Sequence, residues 1–412
     1  MIKIFSRAKG NVATARRRIL FVSHEATRTG APKIILNLLK HFAAECDIQC
    51  ESILISGGHL ATEFSKYSIV DCFNLSPEPS DVLSQRVQQL VARERNNLPV
   101  LAICNSMESR YVTQELSKWG IPTISLIHEL PSSYADVDYQ LVYQLSRKVI
   151  FPCHAVRDET DAKISVPAGK TMVLSQGLLD PDFSSGWDAQ QAREQIREEL
   201  GFSQDSRIIL GCGTLDLRKG IDHFANIARK FTSLLNEQSP VHFVWVGAGP
   251  RWEHSTYHYV KIDLDKSNAA GCVHFIGERE QVAPYFLGSD LFLLTSRVDP
   301  FPCVVHEAMA CRLPVIAFQN SGGAVEAIGQ GAGFPISYAD YDQAVRLIQI
   351  LLEQPALCEA VRERAFERVQ TRYRFDQYGD RLIELCESIL GHRLRTVPQR
   401  TTLPFSTVRR AA

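Results

Sequence analysis

The sequence lacks an excess of either charge sign. Its 45 Lys and Arg face 46 Asp and Glu, for a formal net charge of -1. With no global basic field, nucleic acid drops out of the expected partners. The 11 cysteines are odd in number and scattered, without a CxxC pair or the Cys/His spacing of a zinc site. They read as buried apolar residues in a reducing cytosol, and no metal centre is expected from them. No apolar run approaches the ~18–20 residues needed to cross a bilayer. Residues 1–18 are polar and basic, and the apolar stretch behind them, 19–22, is too short for a secretory leader. The expected location is the cytoplasm.

What remains is ordinary globular composition, 45% hydrophobic and 22% charged over 412 residues. At ~150 residues per domain this predicts two or three domains with full-sized cores. Short apolar runs alternate with amphipathic stretches almost from end to end. Strands are predicted at 18–23, 51–55, 100–105, 122–127, 148–152 and 171–174, separated by helices such as 33–44, 82–95 and 108–118. Near-continuous apolar runs of this length fit strands buried on both faces of a parallel sheet. Their alternation with helices argues for right-handed βαβ units and a doubly wound α/β domain. Residues 176–188 (QGLLDPDFSSGWD) break the pattern and read as a linker. The alternation restarts with strands at 207–212, 241–247, 272–276, 290–295, 313–318 and 332–336, and helices such as 220–235, 281–287 and 343–353. Two α/β halves imply a cleft, and ligands of such sheets bind beyond the carboxyl ends of the strands. Helices at 357–372 and 375–391 precede a tail, 392–412, with five Arg and no acid, and the leader before residue 18 also lacks acids. Both ends fit solvated, disordered chain or, as the alternative, peripheral docking to an anionic membrane at ~1 kcal/mol per basic residue.

The richest segment is 290–326, DLFLLTSRVDPFPCVVHEAMACRLPVIAFQNSGGAVE. A strand ends in a turn containing Pro300 and Pro302, and Pro302 suits the first position of a helix running from Cys303 to Cys311. The free amides and positive dipole end at Cys303 and Val304 suit an anion, with a diphosphate the natural candidate. Asp299 and Glu307 flank that site. A carboxylate facing the phosphate would repel it, but a carboxylate beside a vicinal diol can accept two hydroxyl hydrogen bonds. The bland alternative makes Asp299 a turn residue and Glu307 a charge that favours the helix start. The second segment, GTLDLRKGIDHF at 213–224, follows a strand and presents Arg218 and Lys219 at a helix start. A basic pair there opposes the dipole and makes sense if an anion lies between. The segment does not fit the Walker pattern, and no GxGxxG stands in the dinucleotide position, which counts against a nicotinamide enzyme.

Together these segments resemble the retaining glycosyltransferases of family 4, which have the GT-B fold. Asp299 and Glu307 stand at the E-x7-E pair of that family, with Asp in place of the first Glu. Gly322, Gly323 and Glu326 match the Gly-Gly-x-x-Glu that follows. Gly213, Lys219 and Gly220 match its G-R-x4-K-G segment, with Thr214 at the Arg position, and Arg312 stands where the family usually has Gly. Residues 23–32 (SHEATRTGAP) resemble its glycine loop, and His128 ends a strand where members often carry a cleft-facing His. Residues 275–277, with Ile276 and Gly277, resemble the backbone that lies against the base.

The resemblance implies an α/β protein of two Rossmann-like doubly wound parallel-sheet domains facing a central cleft. They would follow a leader at 1–17 as an acceptor-side domain at 18–178, with helix 375–391 packing back on it, and a nucleotide-sugar domain at 179–373, before the tail at 392–412. It implies a nucleoside-diphosphate sugar as donor, a glycan or glycolipid as acceptor, and no cofactor or metal. Glu307 would take the ribose hydroxyls, Asp299 those of the transferred sugar, and Lys219 with Arg218 the diphosphate. Cys303, Val304, Gly322 and Gly323 would complete the phosphate cradle, and Gly30 would let backbone approach it. His128 would contact the donor sugar, and His24 and Glu25 are candidates to face the acceptor. Two other classes fit the same motifs: a non-catalytic scaffold that binds a partner, and a nucleotide-sugar epimerase.

Overall fold

A run in which every side chain is apolar needs cover on both faces, and a central parallel strand supplies it. The computed structural model describes residues 16–76, 80–93, 98–164, 166–167, 169–233 and 240–395. The first sheet holds β1 (Arg17–Ser23), β2 (Ile48–Leu54), β3 (Ile69–Cys72), β4 (Leu101–Asn105), β5 (Thr123–Leu126), β6 (Lys148–Phe151) and β7 (Thr171–Val173), in the order β3-β2-β1-β4-β5-β6-β7. The second holds β8 (Arg207–Cys212), β9 (Val241–Val246), β10 (Val273–Gly277), β11 (Leu291–Leu294), β12 (Val315–Phe318) and β13 (Gly333–Ile336), in the order β10-β9-β8-β11-β12-β13. Every neighbouring pair of the second sheet is parallel, as are β1 with β2 and β4, β2 with β3, and β6 with β7.

The chain divides into two compact units. One comprises Met1–Ser125, Leu145–Arg147 and Arg381–Ala412, the other Leu126–Gln144 and Lys148–Asp380. In the first, Leu20, Val22, Ile53, Ala102 and Cys104 pack beneath Val87, Val91, Val112 and Leu116 of two helices. In the second, Ile209, Phe243, Trp245, Leu291 and Ile316 pack against Phe224, Ala228 and Phe231 of helix Ile221–Thr232 and Ile348 of helix Tyr341–Glu353. Asp290, at the start of β11, is buried and accepts from Arg193, Arg197 and Arg207 and from the Ile208 amide, so its charge is paired inside the core edge.

Three expectations need correction. β3 was not among the predicted strands, because Ile69–Cys72 is a half-exposed edge rather than a continuous apolar run. β2 begins at Ile48 instead of 51, since Glu51 lies inside the strand, where Arg18 holds its carboxylate through two hydrogen bonds of 2.6 and 2.5 Å. The start of the tail is packed: Leu394 is buried, its carbonyl accepts from the Asp47 amide at 3.0 Å, and Arg395 bridges to Cys46. Residues 396–412 and 1–15, the rest of the basic ends, lie outside the described residues. Among the described residues no helix is long and apolar enough to cross a membrane.

Candidate functional site

In the second sheet the chain runs outward from β8 to β9 on one side and from β11 to β12 on the other. The loops after β8 and β11 therefore diverge and leave a crevice at the switch of strand order. Those two loops carry residues 213–220 and 295–302, which include Gly213, Thr214, Arg218, Lys219 and Asp299 of the predicted site.

Lys219 is placed by its neighbours. Its amide donates to Asp216 Oδ1 at 2.7 Å, and the other Asp216 oxygen takes the Thr214 hydroxyl at 2.5 Å. Gly220 follows with φ +73°, and a Cβ there would lie 1.9 Å from the Thr295 carbonyl oxygen, so only glycine lets the β8 and β11 loops meet. Thr295 Oγ1 donates to the Gly220 carbonyl at 2.9 Å. The Lys219 ammonium reaches across to Asp299 Oδ2 at 2.5 Å, with side chains 15% and 9% exposed. The sequence reading gave these residues separate duties. The structure pairs them, because an Asp this buried needs a counter-charge when no ligand is bound.

Asp299 is fixed through its backbone. Its amide donates to the Ser321 carbonyl at 2.7 Å, and residues 299 and 322 form a parallel bridge. Gly322, at φ +127°, would put a Cβ 2.0 Å from the Asp299 carbonyl oxygen. The Gly323 amide donates to the Pro300 carbonyl at 2.8 Å. Gly322 and Gly323 are thus brought to Asp299.

The helix after this loop is Cys303–Ala310, with Pro302 at its N-cap rather than at the first helical position. The shift follows from the extended ψ of 115° at Pro302, which leaves Cys303 as the first helical residue. No side chain caps this end, so the first amides, at Cys303 and Val304, have no intrahelical partner and can take an anion. Burial pushes the Cys303 thiol up to about 12, Glu307 and then Asp299 push the same way, and Lys219 opposes them. The two acids and the lysine thus all act on one half-buried thiol.

The remaining predicted residues lie as follows. Arg218 is exposed and donates to the Val298 carbonyl at 3.2 Å, spanning the same two loops. Ile276 is the extra residue where the β9–β10 register slips, and its carbonyl accepts from Arg279 Nη1 at 2.5 Å. The Gly277 carbonyl accepts from the Gly247 amide at 2.9 Å. The Gly213 carbonyl takes the Trp245 indole N–H at 2.9 Å. His128 stands just beyond β5, half-buried, with its amide on the Glu129 carboxylate at 2.9 Å. Gly30 belongs to the first unit and opens helix Gly30–Glu45, so it is a helical residue rather than part of the preceding loop.

Sequence reasoning missed His306, Gln176 and Cys153. His306, next to Glu307, is wholly buried between the rings of Phe301 and Tyr373, with no hydrogen bond on either nitrogen. Burial, aided by Arg368, holds its pKa down to about 3, so it is a neutral packing group. Gln176 is buried and donates to the Phe301 carbonyl at 3.5 Å. Cys153 donates to the Pro300 carbonyl of the β11 loop at 3.3 Å. Among the described residues, no three His, Cys, Asp or Glu side chains gather as a metal set.

Residues 192–368 match the family of glycosyl transferases group 1. That stretch contains both loops of the crevice. The N-acetyl-alpha-D-glucosaminyl L-malate synthase of Bacillus anthracis is 28% identical over 189 residues, 45% of this chain and 47% of that protein. An uncharacterized glycosyltransferase of Haemophilus influenzae is 26% identical over 188 residues, 45% of this chain and 49% of that one. The chain thus spans about half the length of these curated relatives. The crystal structure of Anabaena Alr3699/HepE in complex with UDP and glucose superposes with a TM-score of 0.76 at 19% identity, covering 90% of this chain and 99% of that chain. The two parallel sheets, of seven and six strands, are those of the GT-B fold.

Proposed function

We propose that this chain is a retaining glycosyltransferase that moves a sugar from a nucleoside diphosphate to a hydroxyl of a saccharide or lipid-linked saccharide. The observation that carries the reading is the Lys219–Asp299 pair, 2.5 Å apart at the switch of strand order and followed by an uncapped helix start. The match of residues 192–368 to glycosyl transferases group 1 supports it, and the UDP and glucose of the HepE complex make a uridine nucleotide the first donor to try.

In this reading the diphosphate takes over Lys219, with Arg218 and the Cys303 and Val304 amides beside it. Asp299, released from its lysine, accepts hydroxyls of the transferred sugar, and Glu307 accepts those of the ribose. The acceptor oxygen attacks the anomeric carbon on the face from which the diphosphate leaves. The bond from that carbon to the phosphate oxygen breaks, a new glycosidic C–O bond forms, and the acceptor proton passes to the departing phosphate oxygen. Charge develops on the diphosphate, where a fixed cation and amide dipoles are worth several kcal/mol. No metal Lewis acid and no enzyme nucleophile is called for. His128 would touch the donor sugar.

The experiment is to offer the purified chain a panel of nucleotide sugars and follow thermal stabilisation and release of nucleoside diphosphate. Stabilisation by one base class with slow release from its sugar conjugate is the expected result. Stabilisation without release, even with acceptors present, would identify a binding scaffold, and a changed sugar on an intact nucleotide would identify an epimerase.

A further inference from the structure

Helix His154–Lys163 begins without its own cap: Cys153 occupies the N-cap position, yet its side chain makes no capping bond. The cap comes from 172 residues away, where Glu326 Oε2 accepts from the His154 amide at 2.8 Å. The other carboxylate oxygen meets His154 Nδ1 at 2.9 Å. The carbonyl of Glu326 is itself held by Arg368 Nη2 at 2.9 Å and the Tyr373 hydroxyl at 3.1 Å. Freed from capping, the Cys153 thiol turns to the Pro300 carbonyl at 3.3 Å, the oxygen that also accepts the Gly323 amide at 2.8 Å. A Cβ at Gly323 would lie 2.7 Å from both Cys153 Sγ and that oxygen, so the three segments meet without room for a methyl group. Burial pushes the Cys153 thiol up to about 12, which keeps it a donor at neutral pH.

Pro300 directly follows Asp299, and Gly323 lies two residues beyond Ser321, whose carbonyl holds the Asp299 amide. Cys153 is thus one side-chain hydrogen bond from the residue after Asp299, and Glu326 lies three residues beyond Gly323, whose amide shares that carbonyl. We propose that Cys153, His154 and Glu326 form a clamp that positions Asp299 for the sugar end of the donor, without touching the donor themselves. The proposal rests on the donor-site reading above. It separates the ends of the ligand: the clamp bears on the acid that meets the sugar, while Lys219 is set by Asp216 and Thr295.

The test uses the full chain with Cys153→Ala, Cys153→Ser, Glu326→Ala and Glu326→Gln. Hydrogen exchange of the Asp299 and Gly323 amides is read without ligand, and affinities for UDP and UDP-glucose are read by calorimetry. Losing one hydrogen bond of the clamp should speed exchange at these amides about tenfold in both Ala variants. UDP-glucose should lose several-fold in affinity while UDP is unchanged. Cys153→Ser and Glu326→Gln, which keep a hydroxyl donor and a carbonyl acceptor, should restore both readouts. Unchanged exchange, equal losses for UDP and UDP-glucose, or failure of the conservative variants to rescue would each overturn the clamp. If the wild-type chain bound none of the common nucleotide sugars, the donor reading would fall and take the clamp's role with it, while the exchange measurement would still report whether the linkage exists.

Discussion

The two sheets offer the same topological opening twice, and the sequence furnishes the openings with different groups. In the second sheet the crevice between β8 and β11 holds Lys219, Arg218, an uncapped helix start and close-approaching glycine backbone. In the first, the corresponding crevice lies between β1 and β4. There His24 stands beside the carboxylates of Glu25 and Glu108, and Glu25 takes the hydroxyls of Thr27 and Thr29 at 2.5 and 3.2 Å. Burial holds the His24 pKa below its usual value, while Glu25 and then Glu108 pull it upward. Ser106, just past β4, adopts φ +74°, a conformation that costs energy outside glycine. Topology makes both places able to bind something. The proposed reading puts the diphosphate at the crevice between β8 and β11, where the lysine is.

The largest expected effect is at the second crevice. Glu307→Ala should lower turnover of nucleotide sugar by about 10²-fold or more, as loss of a group that positions the donor does, while Glu108→Gln leaves donor affinity unchanged. Steady-state kinetics with a saturating donor series decides this, and equal rates for Glu307→Ala and wild type would contradict the role given to Glu307.

Acid should distinguish the two crevices next. His306 underlies the second and is neutral in the fold, with a pKa held down to about 3. In the unfolded chain the ordinary value is ~6.5. The unfolded state therefore binds more protons below that pH, and the stability His306 contributes is complete above ~6.5 and lost as pH falls toward the folded value. Between pH 7 and 5 the wild type should lose about 2 kcal/mol more than His306→Phe. Equal losses of stability for wild type and His306→Phe, in denaturant titrations at the two pH values, would show that His306 is not neutral in the fold.

Much of this was legible in the sequence, and the exceptions have physical reasons. Strands buried on both faces, such as β8 and β12, announce themselves as apolar runs. The edge strand β3 does not, because its side chains are only partly covered. The two site segments were readable because glycine, proline and charge cluster locally at each. Their pairing was not, since Lys219 and Asp299 lie 80 residues apart and meet only when β8 and β11 become neighbours. His306 resembled any helical residue until its neighbours, Phe301 and Tyr373, were brought to it by the fold.

A smaller effect is expected outside both crevices. Arg312 sits past the end of helix Cys303–Ala310 at φ +57°, a left-handed conformation. It stacks over Phe366 at 4.3 Å and pairs with Glu363. Left-handed backbone costs a side-chain-bearing residue ~1–2 kcal/mol relative to glycine, so Arg312→Gly should change stability by less than that once the lost stacking is subtracted. Donor affinity should stay the same, and a thermal melt with and without nucleotide checks both. The smallest effect is local to the first crevice. Glu108→Gln should shift the His24 titration further downward in an NMR pH series, because it removes one of the charges that favour the imidazolium.

The central claim is that Lys219 serves a diphosphate. Calorimetric titration of the wild type and Lys219→Ala with the matching nucleoside diphosphate and with the bare nucleoside tests it most directly. The account predicts that the variant loses at least about tenfold in affinity for the diphosphate, the scale of one charge-assisted contact, and keeps its affinity for the nucleoside. An equal loss for both ligands, or none for either, would contradict it.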